Sequence, residues 1–397
     1  MGAGDRDGAK QAITRGGGDV LLLSMRRVND LVAHCMTYEF EDVIAEVSGA
    51  DRVDVRDLAA LEFSRRAYKL ARIASGSPEI ARSIAPGPQE VRLDRDYELF
   101  FPVFNHPHEL YALATIPNWR ERCRLAACFL VEPALHLLPR YLLELLREFD
   151  HVFVGVRAPV AQIAHIVGRP CTYLGLGVDV LTFSPYPEAQ PRSIDICNIG
   201  RRSQVTHEAF MKLAQSRQVF YYYDTIMASG FDMKQRTFRV QDAREHRFLL
   251  ASVLRRSRYY IANRSRINEP EYTKGFDEIS GRFYEGAAAG AVMLGVAPDS
   301  DHFRQQFDWP DAVINLPFDS PDAGRIVAEL DKDPDRLARI RAQNVHHAAL
   351  RHDWVHRFQT VMDILDIKPT PQMLTRQQRL QMLAGEALAQ EPRLRAG

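Results

Sequence analysis

Between positions 277 and 285 the chain gathers Asp277, Glu278 and Glu285 around Ser280, Gly281 and Arg282, in the stretch DEISGRFYEGAAAGAVML, with Lys274 just ahead of it. Ionised carboxylates held in place accept hydrogen bonds from hydroxyl groups, and the first amides of a helix attract an anion. A second cluster, NIGRRS, sets Gly200, Arg201 and Arg202 directly after an apolar run. Cations in that position suit an anionic ligand, although an arginine pair in an exposed turn is also common. A third, FNHPHEL, brings Asn105, His106, His108 and Glu109 to the end of a strand, and Glu132 ends another in FLVEPALH. A strand-end histidine caps a helix or bonds a carbonyl as readily as it serves a ligand, and an acid near a helix start is favoured there in any case.

Those residues need elements to hold them. Ala287 to Ala289 with Gly290 as a stop make a helix slim enough to approach a sheet closely, its first turn carrying Glu285. Elsewhere the chain alternates apolar runs with helical periodicity. Strands are expected at DVLLLS, 97–104, 124–131, HVFVGV and CTYLGL, with helices at about 34–48, 55–75, 108–122, 139–149 and 159–168 between them. Residues 76–92 read as a loop. After the proline-rich SPYPEAQPRS (184–193) the rhythm restarts with strands IDICNIG, QVFYYYD, YYIAN and AVMLGV and helices at 206–216, 243–257, 280–289, 320–332 and 334–366. Such alternation specifies βαβ units and parallel sheets covered on both faces. The expected division is a disordered lead at 1–18, a Rossmann-like domain at 19–185, another at 192–345, and C-terminal helices at 346–397 that pack back toward the first. Two doubly wound domains facing each other place their ligand in the cleft between them.

Composition narrows the function classes. The 397 residues carry 51 basic and 51 acidic side chains, which gives no overall field to draw nucleic acid. No run approaches the roughly 18 apolar residues of a membrane helix. The N-terminus has no export h-region, so a cytoplasmic protein is expected, peripheral to the membrane at most. Cys35, Cys123, Cys128, Cys171 and Cys197 form no CxxC pair and read as buried thiols. HDWVH lacks the glutamate of a zinc-binding HExxH, and the glycines of TRGGGD precede a strand where a dinucleotide fingerprint follows one. The basic, aromatic LRRSRYY and NRSR segments read as a solvated face rather than an RNA surface.

Four phrases carry a resemblance. YLGLGVDVLTFSP is similar to the passage that closes the N-terminal domain of retaining GT-B glycosyltransferases. NIGRRS resembles the first strand and turn of their second domain, DEISGRFYEGAAAGAVML their paired-acid segment, and RHDWVHRF their closing helix. The order and spacing fit over roughly residues 19–366, and the wording is most like the spore-maturation-type branch of the group 1 family. This implies a GT-B fold, α/β with two facing Rossmann-like domains and an interdomain cleft, and the transfer of a sugar from a nucleotide diphosphate donor to an acceptor. It also implies retention of configuration and no cofactor or obligatory metal.

Carried onto this sequence, the resemblance has Glu285 accept the ribose hydroxyls of a UDP- or GDP-type nucleotide, with the amides of Ser280, Gly281 and Arg282 on the diphosphate. Asp277 stands where the family's sugar-binding glutamate lies, with Glu278 one position short. Arg201, with Gly200 and Arg202 beside it, would offset the charge growing on the leaving diphosphate, so it stabilises the transition state above the ground state. QVTHE occupies the place of the family's lysine, and Lys274 or Arg282 would substitute. His106 and Glu132 would hold the acceptor or the donor's 6-hydroxyl. The alternatives are an epimerase or hydrolase on the same fold, and a nucleotide-sugar-binding partner that has lost its chemistry.

Overall fold

A computed structural model describes residues 13–133, 140–188, 190–224, 238–269, 273 and 277–395. The chain forms two compact units. One comprises residues 1–30, 40–175 and 358–373, the other residues 31–39, 176–357 and 374–397. The passage between them thus falls at Gly175 and Leu176, ahead of the proline-rich stretch, and the C-terminal helices are shared out between both units.

In the first unit the strands are β1 (Ile13–Thr14), β2 (Val20–Ser24), β3 (Asp51–Asp54), β4 (Tyr97–Phe100), β5 (Val103–Phe104), β6 (Cys123–Leu130), β7 (His151–Val154) and β8 (Cys171–Tyr173). They lie in the order β1-β3-β2-β4-β6-β7-β8, with β5 also on β6. All pair in parallel except β1, which runs antiparallel to β3. The central strands are apolar on both faces, as parallel strands under helices must be. Phe129 faces Phe153 in register, and Phe40 packs edge-on against Phe101 and Phe129. On the other side Trp119 stacks on Phe149 at 5.2 Å. Each such ring contributes about 1.5–3 kcal/mol on burial.

Two local expectations give way here. The lead is ordered from Ile13 onward, because the buried Asp51 carboxylate collects the amides of Gly16 and Gly17, Arg15 and the Tyr97 hydroxyl. The supposed loop at 76–92 contains a helix, Pro78–Ile84, which Ser77 caps by accepting from the Ile80 amide at 3.3 Å. Proline in its first turn costs nothing there.

The second unit carries β9 (Ile194–Asn198), β10 (Tyr221–Tyr223), β11 (Ser257–Ile261), β12 (Val292–Gly295) and β13 (Ile314–Asn315). Every pairing is parallel and the order is β10-β9-β11-β12-β13. That is the doubly wound order 2-1-3-4-5, whose switch point lies between the carboxyl ends of β9 and β11. Its core includes Ile196, Phe210, Tyr259, Ile261, Val292 and Leu294. Ser203 and Asp242 cap the helices Gln204–Gln215 and Ala243–Arg255. The long helix expected at 334–366 is two, Pro334–Arg351 and Trp354–Ile364. The break comes at Asp353, whose carboxylate accepts the Val180 and Val355 amides and pairs with Arg376. Among the described residues no helix is long and apolar enough to cross a membrane.

Candidate functional site

The carboxyl edge of the second unit's sheet gathers most of the residues singled out above. At the tip of β9 the chain turns at Gly200, with φ of +75°, a conformation that glycine adopts without cost. The Gly200 amide donates to Asp224 Oδ2 at 2.6 Å, and Asp224 directly follows β10. Arg202 is 8% exposed and clamps the same acid, Nη1 to Oδ1 at 2.5 Å and Nη2 to the Asp224 carbonyl at 2.7 Å. Arg202 therefore braces the turn. Arg201 points elsewhere: its Nη1 lies 2.7 Å from Glu269, which Arg266 shares at 3.0 Å.

Helix Gly281–Ala288 begins beside this turn. Ser280 precedes it in extended conformation, its hydroxyl donating to the Asn263 carbonyl at 2.7 Å and leaving the first-turn amides without a side-chain cap. Asn263 follows β11, so the helix start is tied to the switch point. Arg282 donates from Nε to the Ile199 carbonyl at 3.2 Å, with its guanidinium over Gly200. Half-buried, it makes no ion pair among the described residues. Of the candidate cations among the described residues it is the one with no acidic partner.

The acids behave differently from a site open to a ligand. Asp277 pairs with Arg264 and accepts the Asp299 amide at 3.1 Å. Glu278 is half-buried, its carbonyl accepting the Ser265 amide at 3.0 Å. Glu285 is 6% exposed and turns inward, where Oε1 pairs with Arg247 and Oε2 lies 3.4 Å from the Tyr260 hydroxyl. Arg247 also binds Glu39, with Nε to Oε2 at 2.6 Å. Burial alone would lower the Arg247 pKa, but Glu39 and Glu285 outweigh it and hold the group above its usual value. Burial raises the Glu39 pKa against the pull of Arg247. Its other oxygen accepts the Asp179 amide at 2.7 Å and the Trp354 indole at 3.0 Å. One guanidinium thus serves two carboxylates in a dry setting, where each partner is costly to remove.

Glu39, Arg247 and Asp224 were not among the candidates read from the sequence. Arg247 did leave a signal: it lies on the buried stripe of its helix with Ala251 and Leu254, at positions i, i+4 and i+7. An arginine on an apolar stripe calls for buried acids. Lys274 lies outside the described residues.

In the first unit, adjacent strand ends bring His106 and Glu132 near one another, since β5 pairs with β6 and the Glu132 amide donates to the Asn105 carbonyl at 3.2 Å. His106, half-buried, opens the 3-10 helix Pro107–Thr115 without a side-chain cap. Glu109 joins them, passed over in the choice of candidates. Its carboxylate accepts the Asn105 amide at 2.7 Å and Asn29 Nδ2 at 2.5 Å, and burial raises its pKa.

Residues 238–363 match the model of a family described as glycosyl transferase-like. Among curated proteins none matches the chain. Similar solved structures include TarM, at 9% identity over 68% of this chain and 54% of TarM, with a TM-score of 0.40. Another is the glycotransferase of kitacinnamycin, at 12% identity over 88% of this chain and 99% of the other, with a TM-score of 0.41. A third is accessory secretory protein 1,2 and 3 in Streptococcus pneumoniae, at 11% identity over 69% and 53%, with a TM-score of 0.36. The chain spans about half the length of TarM. At these scores the structural likenesses are too distant to add weight. The family match covers β11, the paired-acid segment and the closing helices, with Arg247 and Glu285 inside it. Residues 238–363 therefore resemble a glycosyl transferase-like family, in a chain built of two Rossmann-like α/β units.

Proposed function

We propose that this protein is a glycosyltransferase that moves a sugar from a nucleotide diphosphate donor to an acceptor, with retention of configuration and with no cofactor or obligatory metal. The observation that carries this reading is Arg282 at the uncapped start of helix Gly281–Ala288, inside the family match and at the switch point of a parallel sheet. A positive helix end and a guanidinium together suit a diphosphate and the charge that grows on it as the glycosidic bond breaks. Arg201, tempered by Glu269, stands behind them. Asp277 is the candidate for the donor sugar, and Glu285 Oε2, met only at 3.4 Å by Tyr260, the oxygen for a ribose hydroxyl. His106 and Glu132 are proposed for the acceptor or the donor's 6-hydroxyl. The setting is cytoplasmic, peripheral to the membrane at most.

The test is a thermal-shift panel of UDP-, GDP-, ADP-, CMP- and TDP-sugars, since a ligand that binds only the native state raises the melting temperature. One nucleotide class should stabilise the wild type and lose its effect in Arg282→Ala. No shift from any of them would refute the reading. A second reading, a partner that binds nucleotide-sugars without turnover, draws on the inward pairing of Glu285 with Arg247 and of Asp277 with Arg264. It predicts stabilisation with no release of free nucleotide, even on long incubation with candidate acceptors.

A further inference from the structure

Helix Leu58–Ser75 of the first unit buries Leu61, Ser64 and Tyr68 on one side. Its other side should be polar. Instead Phe63 is 63% exposed, and Leu70 and Ile73 are each 69% exposed. Positions 63, 66, 70 and 73 follow helical spacing, so Phe63, Arg66, Leu70 and Ile73 share a face. Leu58 adds to it at the helix start. After the left-handed turn at Gly76, the neighbouring helix Pro78–Ile84 contributes Ile80 and Ile84, also exposed. A lone exposed leucine needs no explanation, but six large apolar side chains within 27 residues do.

Charge indicates what covers them. Between Arg56 and Arg82 stand six basic residues (Arg56, Arg65, Arg66, Lys69, Arg72, Arg82) against three acidic ones (Asp57, Glu62, Glu79), a surplus of three in a chain whose total is zero. Arg65, Arg72 and Arg82 lean on Glu62, Glu144 and Glu148, whereas Arg66 and Lys69 are exposed along the apolar stripe. An apolar face framed by cations fits the headgroup layer of an anionic bilayer. A second copy of the same face would set like charges against each other.

We propose that helices Leu58–Ser75 and Pro78–Ile84 dock this protein on an anionic lipid surface, with Phe63, Leu70 and Ile73 entering the acyl boundary and Arg66 and Lys69 meeting lipid headgroups. The proposal stands whether or not the sugar-transfer reading holds.

The experiment is co-sedimentation of the full chain with vesicles of phosphatidylcholine alone and of phosphatidylcholine mixed with phosphatidylglycerol. Binding to the mixed vesicles should be at least about tenfold stronger and weaken in high salt. It should vanish in Phe63→Ser/Leu70→Ser/Ile73→Ser and fall in Arg66→Glu/Lys69→Glu. Thermal melts check that both variants fold, and the charge-reversed pair decides the matter if the triple variant does not. Three outcomes overturn the proposal: a wild type that ignores the anionic vesicles, full binding by both variants, or a dimer in analytical ultracentrifugation that the triple variant turns into a monomer.

Discussion

Two arginines of the second unit illustrate how burial sorts roles. Arg247 is 5% exposed and holds two acids that pair with no other base among the described residues. Arg247→Ala is expected to cost about 3–5 kcal/mol, the range for stripping the partner from buried charge. Urea denaturation measures it, and a loss under about 1 kcal/mol would mean that water reaches Glu39 and Glu285. Among the described residues Arg282 donates only to the Ile199 carbonyl. Arg282→Ala should therefore leave stability nearly unchanged and weaken nucleotide affinity by about 1.5–3 kcal/mol, the scale of a charge-assisted hydrogen bond, as titration calorimetry would show. The reverse pattern, an unstable variant with intact affinity, would move Arg282 out of the site. NIGRRS and DEISGRFYE gave up their arginines to inspection of the sequence. Which of those arginines is already paired did not show, because Glu269 and Asp224 reach them from other loops.

Elements explain why the small residues are where they are. At Gly286 an added Cβ would lie 2.7 Å from Met293 Sδ and 3.0 Å from Tyr260, so the helix Gly281–Ala288 sits on its sheet with no room to spare. Gly286→Val should destabilise by about 1–3 kcal/mol through overpacking, seen as a lower melting temperature. At the end of helix Pro334–Arg351, His352 is fully buried, stacked on Phe307 at 4.8 Å, with Nε2 3.1 Å from the Gln306 carbonyl. Burial first, and then the charges of Arg357 and Arg351, hold its pKa well below the ordinary 6.5. The unfolded chain takes up this proton as pH falls through 6.5 and the folded chain does not. The His352 contribution is therefore complete above that pH and lost below it, by up to about 1.4 kcal/mol per pH unit. His352→Phe should flatten that slope in denaturation curves between pH 6.5 and 5. Its difference from the wild type also separates His352 from Glu41, whose carboxyl burial pushes up to about 7 and whose contribution has the opposite sign. Periodicity revealed most of these elements. It overlooked the short strands β1, β3 and β13 and the helices Asp301–Gln306 and Pro78–Ile84, the last because a Ser-Pro-Glu start was read as loop chemistry, and it ran two helices together across Asp353.

For the molecule as a whole, the chain does not divide where its sequence thins into prolines. Residues 31–39 belong with the second unit, bringing Glu39 to Arg247 and Met36 against Gly281. A fragment of residues 176–397 lacks both, and its Trp354 indole and Asp179 amide lose their acceptor. It should unfold at distinctly lower denaturant than the same residues within the full chain, with the tryptophan fluorescence transition as the measure. Equal midpoints would show that the unit does not need residues 31–39. By itself the sequence determined two doubly wound sheets, the strand ends that carry the cations, and the helix of small residues with its glutamate, since strand and helix periods and glycine positions are local properties. The tertiary structure alone decided which charges are already spent, because an ion pair such as Glu39 with Arg247 joins residues 208 apart, and no local pattern records which distant acid will be buried against a given base.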